Sequence, residues 1–128
     1  MQNLKTFYPS ESEEQRRFVV EIKLNYKDFI IFAIPNGGSR NKIEGMRLKN
    51  EGVLSGIPDL QIIMPNKQMV FIEMKKQKGG RLSDSQKEII SKINKNGFDV
   101  IIGYGYLDAL EKFKNYLKNP WHLKICCI

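Results

Sequence analysis

The segment that most constrains this chain is Gly56-Ile57-Pro58-Asp59-Leu60, followed by Phe71-Ile72-Glu73-Met74-Lys75. Both stretches read as strands, and together they set an aspartate, a glutamate and a lysine inside otherwise apolar runs. An ionised group in an apolar setting is costly unless it is paired or bound to a metal. Alternate side chains on a strand share a face, so Phe71, Glu73 and Lys75 point one way and Ile72 and Met74 the other. Asp59 opens the neighbouring strand, its entry fixed by Pro58. Two carboxylates and an ammonium converging there fit a divalent-cation site for phosphodiester hydrolysis.

In that reading Asp59 and Glu73 bind one Mg²⁺ from adjacent strands, with the Met74 backbone carbonyl as a third ligand. Oxygen donors and retained waters suit magnesium or manganese. A bound cation polarises a phosphate and lowers the pKa of its water. Lys75 would orient that water or stabilise charge on the phosphorane. The plainer alternative is a buried Glu73–Lys75 ion pair beside a structural turn aspartate, and pattern alone leaves both open.

Charge supplies the partner. The chain carries +7 over 128 residues, which favours a polyanion. Residues 36–81 hold nine Lys/Arg against four acids, +5 of that excess. Nucleic acid is the expected partner, with Lys76, Lys78 and Arg81 beside the charged strand and Arg40 and Lys42 in the segment before it as backbone contacts.

Composition removes other classes. Length implies one domain over 1–128, and the 41% hydrophobic content is ordinary for a soluble protein. No apolar run approaches the roughly 20 residues of a membrane span, and Met1-Gln2-Asn3-Leu4-Lys5 is no signal peptide, so a cytoplasmic location and no membrane partner are expected. Cys126 and Cys127 are adjacent and His122 stands alone, which leaves no material for a disulfide framework or a His-based centre. No Walker-type loop is present, so no nucleotide cofactor is expected. Gly103-Tyr104-Gly105-Tyr106 reads as a strand-exit turn.

Periodicity gives the order α-β-(α)-β-β-α-β-α, a mixed central sheet flanked by helices. Ser10 and Glu13 form a capping-box pattern opening a helix to about Tyr26, with Glu11 and Glu14 on its inward face. Phe29 to Ile34 reads as a short buried strand, and residues 42–51 as a short basic helix ended by Gly52. Asp59 to Met64 and Met69 to Lys75 form an antiparallel hairpin around Pro65-Asn66-Lys67-Gln68. Gly79-Gly80 reads as a flexible link. Ser83 opens a helix to about Lys95, Asp99 to Gly103 is a strand, and Leu107 to Leu117 an amphipathic helix. The tail 118–128 has no reading.

Asp59…Glu73-Met74-Lys75, with Pro58-Asp59 intact, resembles the PD-(D/E)XK nuclease superfamily. Further segments occur in order: Glu11-Ser12-Glu13-Glu14-Gln15, Ile34-Pro35-Asn36-Gly37-Gly38, Glu51-Gly52…Gly56-Ile57-Pro58-Asp59-Leu60 and Leu82-Ser83-Asp84-Ser85-Gln86. Together they resemble the VRR-NUC (virus-type replication-repair nuclease) domain in its small stand-alone phage form, over about residues 9–110. The resemblance implies an α/β restriction-endonuclease-like core of order α-β-β-β-α-β-α. It also implies Mg²⁺- or Mn²⁺-dependent DNA cleavage, on branched structures such as a Holliday junction, by a homodimer in the host-cell cytoplasm. Asp59, Glu73 and Lys75 match the family's catalytic positions. A helix-1 glutamate completes its metal site; Glu11, four residues before Gln15, fits best, with Glu14 the alternate. Gln86 matches the family's glutamine after the core motif, although Ser83-x-x-Gln86 is itself a capping box. A nickase or flap nuclease, and a non-catalytic nucleic-acid-binding module, are the competing readings.

Overall fold

Which face of each element is apolar decides the architecture. The computed structural model describes residues 7–36 and 41–119. Eight elements follow in chain order: α1 (Glu11–Asn25), β1 (Ile30–Ala33), α2 (Lys42–Asn50), β2 (Leu60–Met64), β3 (Gln68–Lys75), α3 (Asp84–Lys95), β4 (Asp99–Tyr104) and α4 (Tyr106–Lys118). The strands form one sheet in the order β1-β2-β3-β4. β1 and β3 pair antiparallel to β2, whereas β4 runs parallel to β3. The parallel pair needs a crossover, which α3 supplies. The expected mixed α/β sheet is therefore present, and residues 42–51 do contain a helix.

One face of the sheet makes the core. Leu60, Ile62 and Met64 of β2 and Val70, Ile72 and Met74 of β3 point to Phe18 and Ile22 of α1 and to Ala109, Leu110 and Phe113 of α4. The Phe113 ring anchors this layer, edge-on to Phe18 at 6.4 Å and to Tyr26 at 5.4 Å. α1 and α4 thus cover the Ile72/Met74 face, leaving the Glu73/Lys75 face to α3.

β1 departs from expectation. It is an edge strand and not a buried one: Ile30 is 58% exposed and Phe32 41%. The apolar run was legible, but β1 has a strand neighbour on one side only, and Ile30 and Phe32 project from the face opposite the core. The hairpin turns through Pro65, Asn66 and Lys67, with Met64 paired to Gln68. Among the described residues no helix is long and apolar enough to cross a membrane.

Candidate active site

The strand β3 ends in the alternation its sequence dictates. Ile72 and Met74 enter the core, while Glu73 and Lys75 share the other face and are nonetheless buried, 1% and 7% exposed. Asp59 is brought to them by the way β2 begins. Its carbonyl accepts the Ile34 N–H at 2.8 Å, tying it to the β1 side, and its Oδ2 accepts the Met74 N–H at 2.8 Å. Extending the β2–β3 register, Leu60 opposite Ile72, would set Pro58 opposite Met74. Proline has no N–H, so the ladder cannot continue there and the aspartate carboxylate satisfies the strand instead. The N–H and C=O of one residue point to the same edge of a strand. The Met74 carbonyl therefore faces the Asp59 side, where Pro58 has no donor to offer it.

Gln86 closes the site from α3. Its backbone N–H donates to Ser83 Oγ at 3.2 Å and its Oε1 accepts the Ser83 N–H at 2.9 Å, a complete capping box. The same side chain then reaches the strand. Oε1 accepts Lys75 Nζ at 3.0 Å, and Nε2 donates to Glu73 Oε1 at 2.9 Å. The helix cap and the contacts to Lys75 and Glu73 thus share one amide. Close approach of the loop before Asp59 makes this possible: a Cβ on Gly56, whose φ is +89°, would stand 2.6 Å from the Ser85 carbonyl oxygen. Only glycine fits there.

Electrostatics identify what the cluster lacks. Lys75 Nζ lies 3.3 Å from Glu73 Oε1. Even so, burial first, and then the Asp59 charge, push the Glu73 carboxyl up to about 7, and the lysine offsets only part of this. Glu73 and Asp59 stand within hydrogen-bonding reach, acceptor against acceptor. Glu73 Oε2 is buried and has no hydrogen-bond partner. A native structure seldom leaves such an atom orphaned. Two facing carboxylates with one spare buried oxygen are a donor set that a hard divalent cation fits.

The helix-1 glutamates separate. Glu14 is fully buried, and both its oxygens are occupied, Oε1 by Gln77 Nε2 at 2.8 Å and Oε2 by the Tyr106 N–H. Glu11 is on the exposed first turn of α1, yet its carboxyl is raised by burial while Lys75 lowers it and Asp59 raises it further. It therefore lies within electrostatic reach of the pair. Among the described residues no three acidic, histidine or cysteine side chains are grouped as a metal cage, so Glu11 faces the Asp59–Glu73 pair without joining it.

The basic residues divide too. Lys76 is felt by Glu11, and Lys78 Nζ lies 5.7 Å from the Tyr8 ring centroid. Arg81 is exposed two residues before the α3 cap. Gly80 is no loose link, since a Cβ there would meet Lys75 Cβ at 2.9 Å. Lys42 begins α2, a helix with no buried residue, and Arg40 lies outside the described residues, as does the tail from 120 onward. Sequence reasoning missed Gln77 and the Tyr106 N–H; their partner Glu14 is distant in the chain, and no local pattern marks them.

The VRR-NUC domain profile matches residues 5–106 of this chain. No curated protein matches it. Among solved structures, a chain described as a VRR_NUC domain protein superposes with a TM-score of 0.70 at 23% identity, covering 86% of this chain and 89% of the other. That likeness carries the fold, a mixed sheet with flanking helices; the PD-(D/E)XK core is the general fold of the family whose profile matches. With the profile spanning well over half the sequence, and the aspartate, glutamate and lysine of its strands gathered in one cluster, the chain belongs to the VRR-NUC family of nucleases.

Proposed function

We propose that the protein is a Mg²⁺- or Mn²⁺-dependent DNA endonuclease whose centre is the Asp59–Glu73 pair. The observation that carries this reading is the orphaned, buried Oε2 of Glu73, whose carboxyl stands beside that of Asp59. Asp59, Glu73, the Met74 carbonyl and Glu11 would hold the cation. When bound, it supplies charge neutralisation at the phosphate and a more acidic water. Gln86 and Glu73 hold the Lys75 ammonium from two sides, so its charge is fixed where negative charge develops on the phosphate. Gln86 and Lys75 keep Glu73 oriented. Lys76, Lys78 and Arg81 lie beyond the end of β3 and would bind the DNA backbone, whose shape and charge rather than sequence are read; Lys42 and Arg40 are the more remote candidates.

Branched DNA, such as a Holliday junction, is the finer substrate proposed, cut by a homodimer in the cytoplasm. Support for the dimer comes from the β1 edge, where Ile30 and Phe32 are exposed and Val20 of α1, also exposed, lines one groove with Phe32. An unprotected apolar edge strand is a template for pairing.

A labelled four-way junction with Mg²⁺ tests the reading, beside Asp59→Asn and Lys75→Ala. The protein should cut it, and both variants should bind without cutting. Binding without cleavage by the unaltered protein would make it a non-catalytic module.

A further inference from the structure

The chain buries a second carboxylate that this chemistry does not use. Glu14 has no exposed surface. A buried ion costs several kcal/mol unless every oxygen is answered, and here each is. Gln77 Nε2 donates to Oε1 at 2.8 Å, and the Tyr106 N–H donates to Oε2. Tyr106 is the first residue of α4, where the helix dipole favours an anion. Gln77 is the second residue past Lys75. The Gly105 N–H, just before Tyr106, donates to the Lys75 carbonyl at 2.8 Å. A single carboxylate therefore clasps α1, the exit of β3 and the start of α4. The clasp has no slack: a Cβ on Gly105, at φ +87°, would meet Gln77 Cγ at 2.6 Å and Glu14 Oε2 at 3.1 Å.

Glu11 lies three residues before Glu14, on the same side of α1. Its carboxyl lies within electrostatic reach of Lys75 and Asp59. We propose that Glu14 is a positioning residue: by locking the first turn of α1 to the end of β3 it delivers Glu11 to the cation held by Asp59 and Glu73. This rests on the metal-site reading above. Glu14 itself is turned to Gln77 and the start of α4, each of its oxygens taking one N–H donor. An apolar residue of similar volume would serve packing as well or better, so retention of a charge there points to alignment.

The test measures the Mn²⁺ dissociation constant by calorimetry on the intact protein without DNA, with melting temperature alongside. The variants are Glu14→Leu, Glu14→Gln, Gln77→Leu, Glu11→Ala and the double Glu11→Ala/Glu14→Leu, with Asp59→Asn as control. Partners that orient metal ligands are worth about 10- to 100-fold in affinity, so Glu14→Leu should weaken Mn²⁺ about tenfold, matching Glu11→Ala. Glu14→Gln should bind near normally, since an amide oxygen still accepts the Tyr106 N–H and the Gln77 amide can turn to meet the new donor. The double variant should be no weaker than Glu11→Ala, because coupled residues are non-additive. Full additivity, or unchanged Mn²⁺ affinity with a lowered melting temperature, would reduce Glu14 to a structural residue. Should Glu14→Leu not fold, Gln77→Leu severs one arm alone and must still weaken Mn²⁺ in the Glu11 background but not in Glu11→Ala. Asp59→Asn separates the two failures: if it leaves Mn²⁺ binding intact, the metal site itself is refuted; if it abolishes binding while Glu14→Leu does not weaken it, only the positioning role falls.

Discussion

Lys75 Nζ donates to Gln86 Oε1 at 3.0 Å, and through that bond the lysine at the end of β3 is held by the cap of a helix. The ammonium is 3.3 Å from Glu73 Oε1 as well, so its direction is fixed by two acceptors from different elements. Replacing Lys75 by Ala should abolish cleavage, by at least about 100-fold in kcat, as loss of a preorganised charge does, with junction binding in Ca²⁺ within a few-fold of normal. Arg should not rescue it, because a planar guanidinium cannot take the place of a point charge. Gel-based single-turnover kinetics check both.

Gln86→Ala removes two bonds to the strand and half of a capping box. Ser83 Oγ still caps the backbone N–H at position 86, so the loss of this half of the box should cost less than the roughly 1 kcal/mol of a whole N-cap. Loss of the orienting amide should weaken Mn²⁺ binding about tenfold or more. Gln86→Glu should restore the cap while failing to restore the metal site, since a carboxylate offers Glu73 no donor. Melting curves and Mn²⁺ titration separate the two effects.

Much of this was legible in the sequence because it is local. The Ser83-x-x-Gln86 spacing marks the α3 cap, and period-two alternation places Glu73 and Lys75 on one face; both recur in the structure. Pro58 before Asp59 marks where the ladder stops. The β1 environment was not legible, because Phe29 to Ile34 has the same apolar character whether a second layer covers it or not. Nor was the division of labour between Glu11 and Glu14. Each faces inward by helical spacing, and only the arrival of Gln77 and the α4 N-terminus, distant in the chain, satisfies one of them.

Glu73 sets a pH dependence for the metal-free protein. Its folded value, about 7, lies above its usual 4.5, so the folded state holds this proton more tightly than the unfolded chain does. Stability is therefore greatest below about 4.5 as far as this group is concerned, and falls as pH rises toward 7. The slope is at most about 1.4 kcal/mol per pH unit for one proton. Asp59→Asn removes the second cause of the shift and should flatten that slope. Urea unfolding in chelator between pH 4.5 and 8 checks it.

Lys76 and Lys78 follow the strand into solvent. If both meet phosphates, replacing them by Ala lowers the slope of log K against log salt by about 1.8, near 0.9 per contact on duplex DNA. Affinity should fall on every DNA tested, without a change in sequence preference. Anisotropy titrations across salt concentrations measure this, and an unchanged slope removes both lysines from the interface.

The β1 edge bears on assembly. Phe32→Glu puts a charge among exposed apolar side chains that contribute nothing to the core. The variant should sediment as a monomer while keeping its melting temperature within a few degrees, whereas the unaltered protein should sediment as a dimer.

The pairing of Asp59 with Glu73 is tested most directly by locating manganese. Crystals grown in Mn²⁺ should give an anomalous peak in contact with Asp59 Oδ and the now-unpartnered Glu73 Oε2, lost in Asp59→Asn. Fully occupied manganese elsewhere on the chain, with none between these two carboxylates, would contradict the assignment.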